Sequence, residues 1–191
     1  MIGSHCSRRG SEEIENEMNK PVSSSSMQAK LHGVPIDPNR FRSVMGSFAT
    51  GVAVIATEWK RELFGATVNS LTSVSLEPCM LLFCMNDGST TGAAIRNRKL
   101  FSVNVLGHHQ SDLPARFTKS DKNRFKDVAV DFSADGLPLL RGAAAQLCCR
   151  VAAIHKGGDH DIILGQVLSG EELTCSPLVF HKGAYGSFQR A

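Results

Sequence analysis

A chain of 191 residues and 20.6 kDa carries enough apolar material for one core at roughly 100 to 200 residues per domain, so two full domains are not expected. Hydrophobic residues at 42% and charged residues at 20% are ordinary for a globular protein, and the longest apolar runs, Val52 to Ala56 and Met80 to Met85, fall short of a ~20-residue membrane span, which excludes an integral membrane protein. Twenty-one Lys and Arg against 18 Asp and Glu leave a net charge of +3, too small a bias for a dedicated nucleic-acid binder but compatible with a phosphorylated small molecule.

The segment from Met1 to Gly33 has a serine run at Ser23 to Ser26 and few large apolar residues, so it buries too little surface to offset its ordering entropy. A disordered tail over 1–34 is expected, followed by a domain over 35–191. The positive start is not followed by an apolar segment, so it fails as a secretory signal, and part of it reads as expression-vector residue. A cytoplasmic address is the resulting expectation. The six cysteines (Cys6, Cys79, Cys84, Cys148, Cys149, Cys175) are too sparse for a disulfide scaffold and lack zinc-ligand spacing, so they read as reduced thiols and no metal is expected. Cys79, Cys84, Cys148 and Cys149 fall in apolar strand-like runs, where cysteine acts as a small hydrophobe.

Asp37 can cap a helix with Pro38 at its first position, and Phe41, Val44, Met45 and Phe48 then recur at helical spacing, predicting one buried face. Thr50 and Gly51 should end that helix. Strands are predicted at Val52 to Thr57, Phe64 to Val68, Met80 to Met85, Phe101 to Leu106, Ala143 to Ile154, Asp161 to Ser169 and Leu178 to His181, with a turn around Trp59 to Glu62. Two short helices, Ser89 to about Asn97 and Ser111 to about Thr118, each open on a serine able to cap free amides. Strands without regular alternation with helices argue against a doubly wound parallel sheet. They favour a mainly β fold, a closed or split antiparallel barrel with peripheral helices.

Four features carry candidate chemistry. Thr67 to Leu76 supplies hydroxyls and an amide with almost no charge, suited to holding a neutral heterocycle or a phosphate, although the same composition suits a turn-rich connection. Asn86 to Gly92 lies between a strand and a helix, where first-turn amides could receive an anion; it is neither a Walker loop nor a dinucleotide fingerprint. Between Arg96 and Lys126 eight basic residues face only Asp112 and Asp121, which either draws phosphates toward a cleft or forms a solvated face. His160 stands in Gly157-Gly158-Asp159-His160-Asp161, where glycines allow close approach and carboxylates can hold the ring; an ordinary hairpin histidine would look the same. No hydrolytic triad has support.

Taken together, Phe41-Arg42-Ser43-Val44-Met45-Gly46-Ser47-Phe48-Ala49-Thr50-Gly51-Val52, Ala66 to Pro78, Phe101 to Leu106 and Gly158-Asp159-His160 resemble, in order and over Phe41 to Phe188, the flavin reductase family of FMN-binding split-barrel proteins, the small reductases of two-component monooxygenases. The resemblance implies an antiparallel, Greek-key-like split barrel and a homodimer binding FMN, or FAD in some members, near its interface. It implies that Thr67, Val68, Asn69 and Ser70 line the isoalloxazine, that Ser73 and Ser75 follow the ribityl–phosphate path, and that Ser89 and Thr90 lie near the phosphate. Asn104 and Phe117 would lie close to the flavin, His160 would meet the nicotinamide, and Tyr185 would be its companion. Many relatives carry a second proline where this chain has Cys79, a local departure. The implied reaction is hydride transfer from NADH or NADPH to flavin, with the reduced flavin passed to a monooxygenase; the cofactors carry the chemistry and the protein aligns them. Two alternatives are a reductase of a bound acceptor such as a cobalt corrinoid, and a flavin-binding electron carrier.

Overall fold

Alternation of inward and outward side chains along long strands organises the molecule. The computed structural model describes residues 35–119, 121 and 123–189; the expected tail over 1–34, Cys6 and Lys122 lie outside the described residues. The chain divides into two units, Met1–Pro38 and Asn39–Ala191, and of the first only 35–38 is described. In chain order the elements are α1 (Pro38–Met45), β1 (Thr50–Gly51), β2 (Ala53–Trp59), β3 (Glu62–Val68), β4 (Thr72–Leu76), β5 (Cys79–Asn86), α2 (Thr90–Arg98), β6 (Leu100–Val105), α3 (Leu113–Thr118), β7 (Val130–Phe132), β8 (Pro138–Leu140), β9 (Ala145–Gly157), β10 (His160–Glu172), β11 (Leu178–His181) and β12 (Ala184–Ser187). No described helix is long and apolar enough to cross a membrane.

Seven strands form one antiparallel sheet in the order β3-β2-β6-β9-β10-β5-β4. Its edges, β3 and β4, are consecutive in the chain and joined only by Asn69, Ser70 and Leu71. Four Cα steps span at most about 14 Å, whereas a flat seven-stranded sheet sets its edges about 29 Å apart. The sheet must therefore roll up, leaving a split between β3 and β4 crossed by that connection. Two smaller sheets, β1-β11-β12 and β7-β8, complete the antiparallel, mainly β fold.

Inside the roll, Leu81, Phe83 and Met85 of β5 alternate with half-buried or exposed neighbours and meet Phe101, Val103, Ile163 and Cys149. Phe83 and Phe101 pack edge to face at 5.2 Å, and burying each ring contributes roughly 1.5–3 kcal/mol. Gly165 makes room for that pair, since a Cβ there would stand 2.5 Å from the tip of Phe101. A second cluster, including Val52, Val54, Leu106, Phe117 and Leu178, covers the other side of β2. Burial on both faces explains the unbroken apolar run at Val52 to Ala56.

Several expectations fail for identifiable reasons. α1 stops at Met45, and Thr50–Gly51, expected to end it, instead pair with β11 as a strand. Its apolar face is not buried: Phe41, Val44, Met45 and Phe48 are 52%, 57%, 50% and 70% exposed. Helical spacing identifies a face that needs cover without identifying what covers it. Thr72–Leu76, read as loop, is an edge strand, where hydroxyls and solvent share the unpaired side. α3 opens after Asp112 rather than on a serine cap, and Asp112 makes no capping bond. Cys148 and Cys149 are buried as expected, whereas Cys84 is half-buried and Cys79 exposed. Burial together with the neighbouring Cys148 pushes the Cys149 thiol up to about 12, so it stays protonated and inert.

Candidate functional site

A cavity of about 550 Å³ opens where the end of β3, the Asn69–Ser70 connection, the end of β5, the start of α2 and the end of α3 converge. That volume lies within the roughly 300–1,000 Å³ of small-molecule sites. It adjoins a wider cavity of about 1440 Å³ under α1, and Asn69, Ser70, Cys84 and His160 line both.

Thr67, Val68, Asn69, Ser70, Ser89, Thr90, Phe117 and His160 all line the smaller cavity. Three of their hydroxyls are engaged in holding its walls. Thr67 Oγ1 donates to the Pro114 carbonyl at 2.9 Å, tying β3 to α3. Ser70 Oγ accepts from the Cys84 amide at 2.9 Å and sits 3.4 Å from its carbonyl, pinning the split-crossing connection to β5. Ser89 Oγ caps α2 by accepting from the Gly92 amide at 3.2 Å. The first-turn amides of Thr90 and Thr91 have no intrahelical acceptor; Thr90 lines the cavity, and Thr91 is buried behind it.

The cationic end of the cavity was not assigned from sequence. Arg124 is 8% exposed; its Nε donates to the Asp121 carbonyl at 2.7 Å, and its Nη1 to the Gly65 carbonyl and to Thr91 Oγ1. Among the described residues it has no carboxylate in ion-pair range, and burial lowers its pKa, partly offset by the Asp121 charge. Lys119 lines the same end. A buried cation with no carboxylate in contact, beside a helix N-terminus, has the donor chemistry of an anion site. The only sequence signal was the basic run, which does not tell its buried member from the others: Arg116 of the same run is half-buried and donates to the Lys126 carbonyl.

At the other end, His160 begins β10 in register with Asn86 of β5 and Gly157 of β9. Its Nδ1 lies 2.7 Å from Asp159 Oδ1, so the ring is held and Nε2 is left for other contacts. That hydrogen bond holds the Asp159 carboxyl below the usual range.

Four expected residues do not line the cavity. Asn104 is fully buried in β6, where Nδ2 donates to the Val54 carbonyl at 3.2 Å and Oδ1 accepts from the Leu140 amide at 2.8 Å and from Gln146 at 3.4 Å. Its polarity serves the junction of β2, β6, β8 and β9. Asn104→Ala is expected to cost about 3 kcal/mol by leaving buried groups unpaired, while flavin affinity of the folded fraction stays unchanged; chemical denaturation and fluorescence titration check both. Ser73 and Ser75 follow β4 along the sheet edge, and Ser75 Oγ accepts from the Glu77 amide at 3.1 Å. Tyr185 on β12 packs against Phe180 at 5.3 Å; Phe180 lines the wide cavity, Tyr185 does not.

The comparisons agree with this geometry. The model of the flavin reductase like domain matches residues 45–189. The reductase component of a 4-nitrophenol 4-monooxygenase/4-nitrocatechol 2-monooxygenase from Rhodococcus opacus is 37% identical over 154 residues, 81% of this chain and 83% of that protein. The FMN reductase (NADH) SmoA of Agrobacterium fabrum is 38% identical over 150 residues, 78% of this chain and 86% of that one. Among solved structures, the NADH:FAD oxidoreductase SgcE6 of Streptomyces globisporus superposes with a TM-score of 0.76 at 30% identity, covering 83% of this chain and 99% of that one. With the match over residues 45–189 and relatives of this similarity along most of its length, the chain belongs to the flavin reductase like domain family.

Proposed function

We propose that the protein is a flavin reductase that takes hydride from a reduced nicotinamide and supplies reduced flavin to a partner monooxygenase. The observation that carries this reading is the pairing of a cavity, neutral at one end and cationic at the other, with a second, wider cavity that meets it at His160. When bound, the flavin and nicotinamide supply the redox chemistry themselves, hydride passing from one ring to the other. The residues present fit that pair. Arg124, Lys119 and the first-turn amides of α2 would hold the flavin phosphate, with Ser89 keeping that helix end in place. The β3 end and the Asn69–Ser70 connection would hold the ring system, mainly through backbone donors because the hydroxyls of Thr67 and Ser70 are engaged. His160 would orient the nicotinamide, with Asp159 fixing its ring. FMN is the favoured flavin and FAD the alternative. A cytoplasmic setting, where reduced nicotinamide is made, suits the free thiols.

Anaerobic stopped-flow mixing with FMN or FAD and with NADH or NADPH tests the reading. Rapid bleaching of flavin absorbance is expected with at least one donor; protein that binds flavin yet leaves it oxidised with both would be a carrier instead. Release of the reduced flavin on gel filtration supports delivery to a separate oxygenase, whereas tight retention favours a bound acceptor such as a corrinoid.

The same reading includes a homodimer. α1 and the turn after it present Phe41, Val44, Met45 and Phe48 on the rim of the wide cavity or next to it, an apolar face of the kind that association covers. Phe48→Asp is expected to shift sedimentation from dimer toward monomer, and a wild-type monomer at micromolar concentration would end this part of the proposal.

A further inference from the structure

The hairpin that carries His160 turns on two glycines. Gly157 and Gly158 precede Asp159, and Gly158 has a φ of +76° with open space where a Cβ would be. One backbone hydrogen bond, from the Asp87 amide to the Asp159 carbonyl at 3.2 Å, ties the tip to the β5–α2 connection. Glycines permit the tight turn at the tip, and strand pairing with Asn86 and Gly157 sets the His160 backbone, so the placement of the hairpin depends on what holds β9 and β10 against the β5–α2 connection.

The next residue, Asp161, points the other way, as alternation along a strand requires. Its side chain is only 3% exposed and bridges two cations: Oδ2 meets Arg96 Nη1 of α2, and Oδ1 meets Lys156 Nζ of β9 at 2.8 Å. Lys156 continues to Asp87 Oδ1 at 2.5 Å in the connection leading to Ser89 and Thr90. Two carboxylates and two ammonium or guanidinium groups thus form one balanced chain. Arg96 belongs to the helix whose first turn lines the cationic end, and Asp161 belongs to the strand whose first residue is His160. The hydrogen bond from Lys156, opposed by desolvation, keeps the Asp161 carboxyl below the usual range, so it is ionised at neutral pH.

We propose that Asp161 is a positioning residue whose buried carboxylate couples the two ends of the site, holding the His160 hairpin at a fixed separation from the first turn of α2. This rests on the flavin reductase reading. It assigns to Asp161, which lines neither cavity, control over how the nicotinamide is received. A salt bridge of merely structural value would change how much protein folds; a positioning role changes the kinetics of each folded, flavin-loaded molecule.

The test is stopped-flow reduction of flavin-loaded wild type, Asp161→Asn, Asp161→Glu and Lys156→Gln. Arg141→Gln, which breaks an exposed ion pair with Asp131 elsewhere, serves as the control. Asp161→Asn is expected to raise the NADH concentration at half-maximal reduction rate about 10-fold, with flavin Kd within about threefold, because misplacement of a binding group costs orientation. Asp161→Glu should recover part of the loss, and Arg141→Gln should match wild type. Half-saturation by NADH unchanged in Asp161→Asn overturns the inference, even where its Tm falls. If Asp161→Asn does not fold, Lys156→Gln decides: its ammonium is largely exposed, a rise of about threefold supports the coupling, and none overturns it. Wild type that leaves flavin oxidised overturns the function itself, and the coupling with it, an outcome distinct from those of the variants.

Discussion

His160→Ala is expected to lower kcat/KM for the reduced nicotinamide about 100-fold while flavin Kd stays within about threefold, because loss of one aligning contact displaces the donor without touching the flavin's own holders. The asymmetry follows from placement. His160 stands on the lip shared by the two cavities, whereas the cationic end lies around Arg124, Lys119 and α2. Its imidazole is held by Asp159 at 2.7 Å, so His160→Gln, which keeps a donor nearby but loses the ring, should fall between wild type and alanine. Flavin fluorescence titration and steady-state rates at varied NADH check the two quantities separately. Equal losses of flavin affinity and nicotinamide use would remove the role proposed for this residue.

Arg124→Gln should weaken FMN binding 10- to 100-fold, about 1.4–2.8 kcal/mol, the range of a hydrogen bond to a charged group. Riboflavin, which lacks the phosphate, should bind wild type and variant alike. The stability signature runs the other way. Arg124 is buried and, among the described residues, in ion-pair contact with no carboxylate, the Asp121 charge offsetting its desolvation only in part, so removing its charge lifts a desolvation cost in the empty protein, and Tm without flavin is expected to hold or rise slightly. Unchanged FMN affinity together with a lower Tm would make Arg124 a structural residue that serves only its bonds to Asp121, Gly65 and Thr91.

Local chemistry accounts for what could be read before the fold was known. The hairpin strands, Ser89 as a helix cap and the polar lip Thr67 to Ser70 each depend on neighbours within a few residues, through alternation, capping and turn geometry. The resemblance likewise rested on short segments in order, and eight of the twelve residues it implied line one cavity. The misses share a cause. Asn104 looks like site polarity in sequence, yet β6 is interior in the sheet and its side chain bonds to the buried Val54 carbonyl of β2 and to the Pro138 carbonyl. Arg124 looks like any member of a basic run until folding buries it.

The sequence by itself determined the family through motif order, and with it the class of chemistry, and it located the longer strands and the helices, because periodicity, caps and motifs are written in adjacent residues; the short and edge strands Thr50–Gly51, Thr72–Leu76, Val130–Phe132, Pro138–Leu140 and Ala184–Ser187 escaped it. Only the tertiary structure decided which polar groups are spent on the fold and which face the cavity. It also showed that the apolar face of α1 is left uncovered, and that Asp161 reaches Arg96, 65 residues away in the chain. Burial and charge pairing are set by long-range strand register, and β6 lying beside β9, or β10 beside β5, has no local signature from which it could be read.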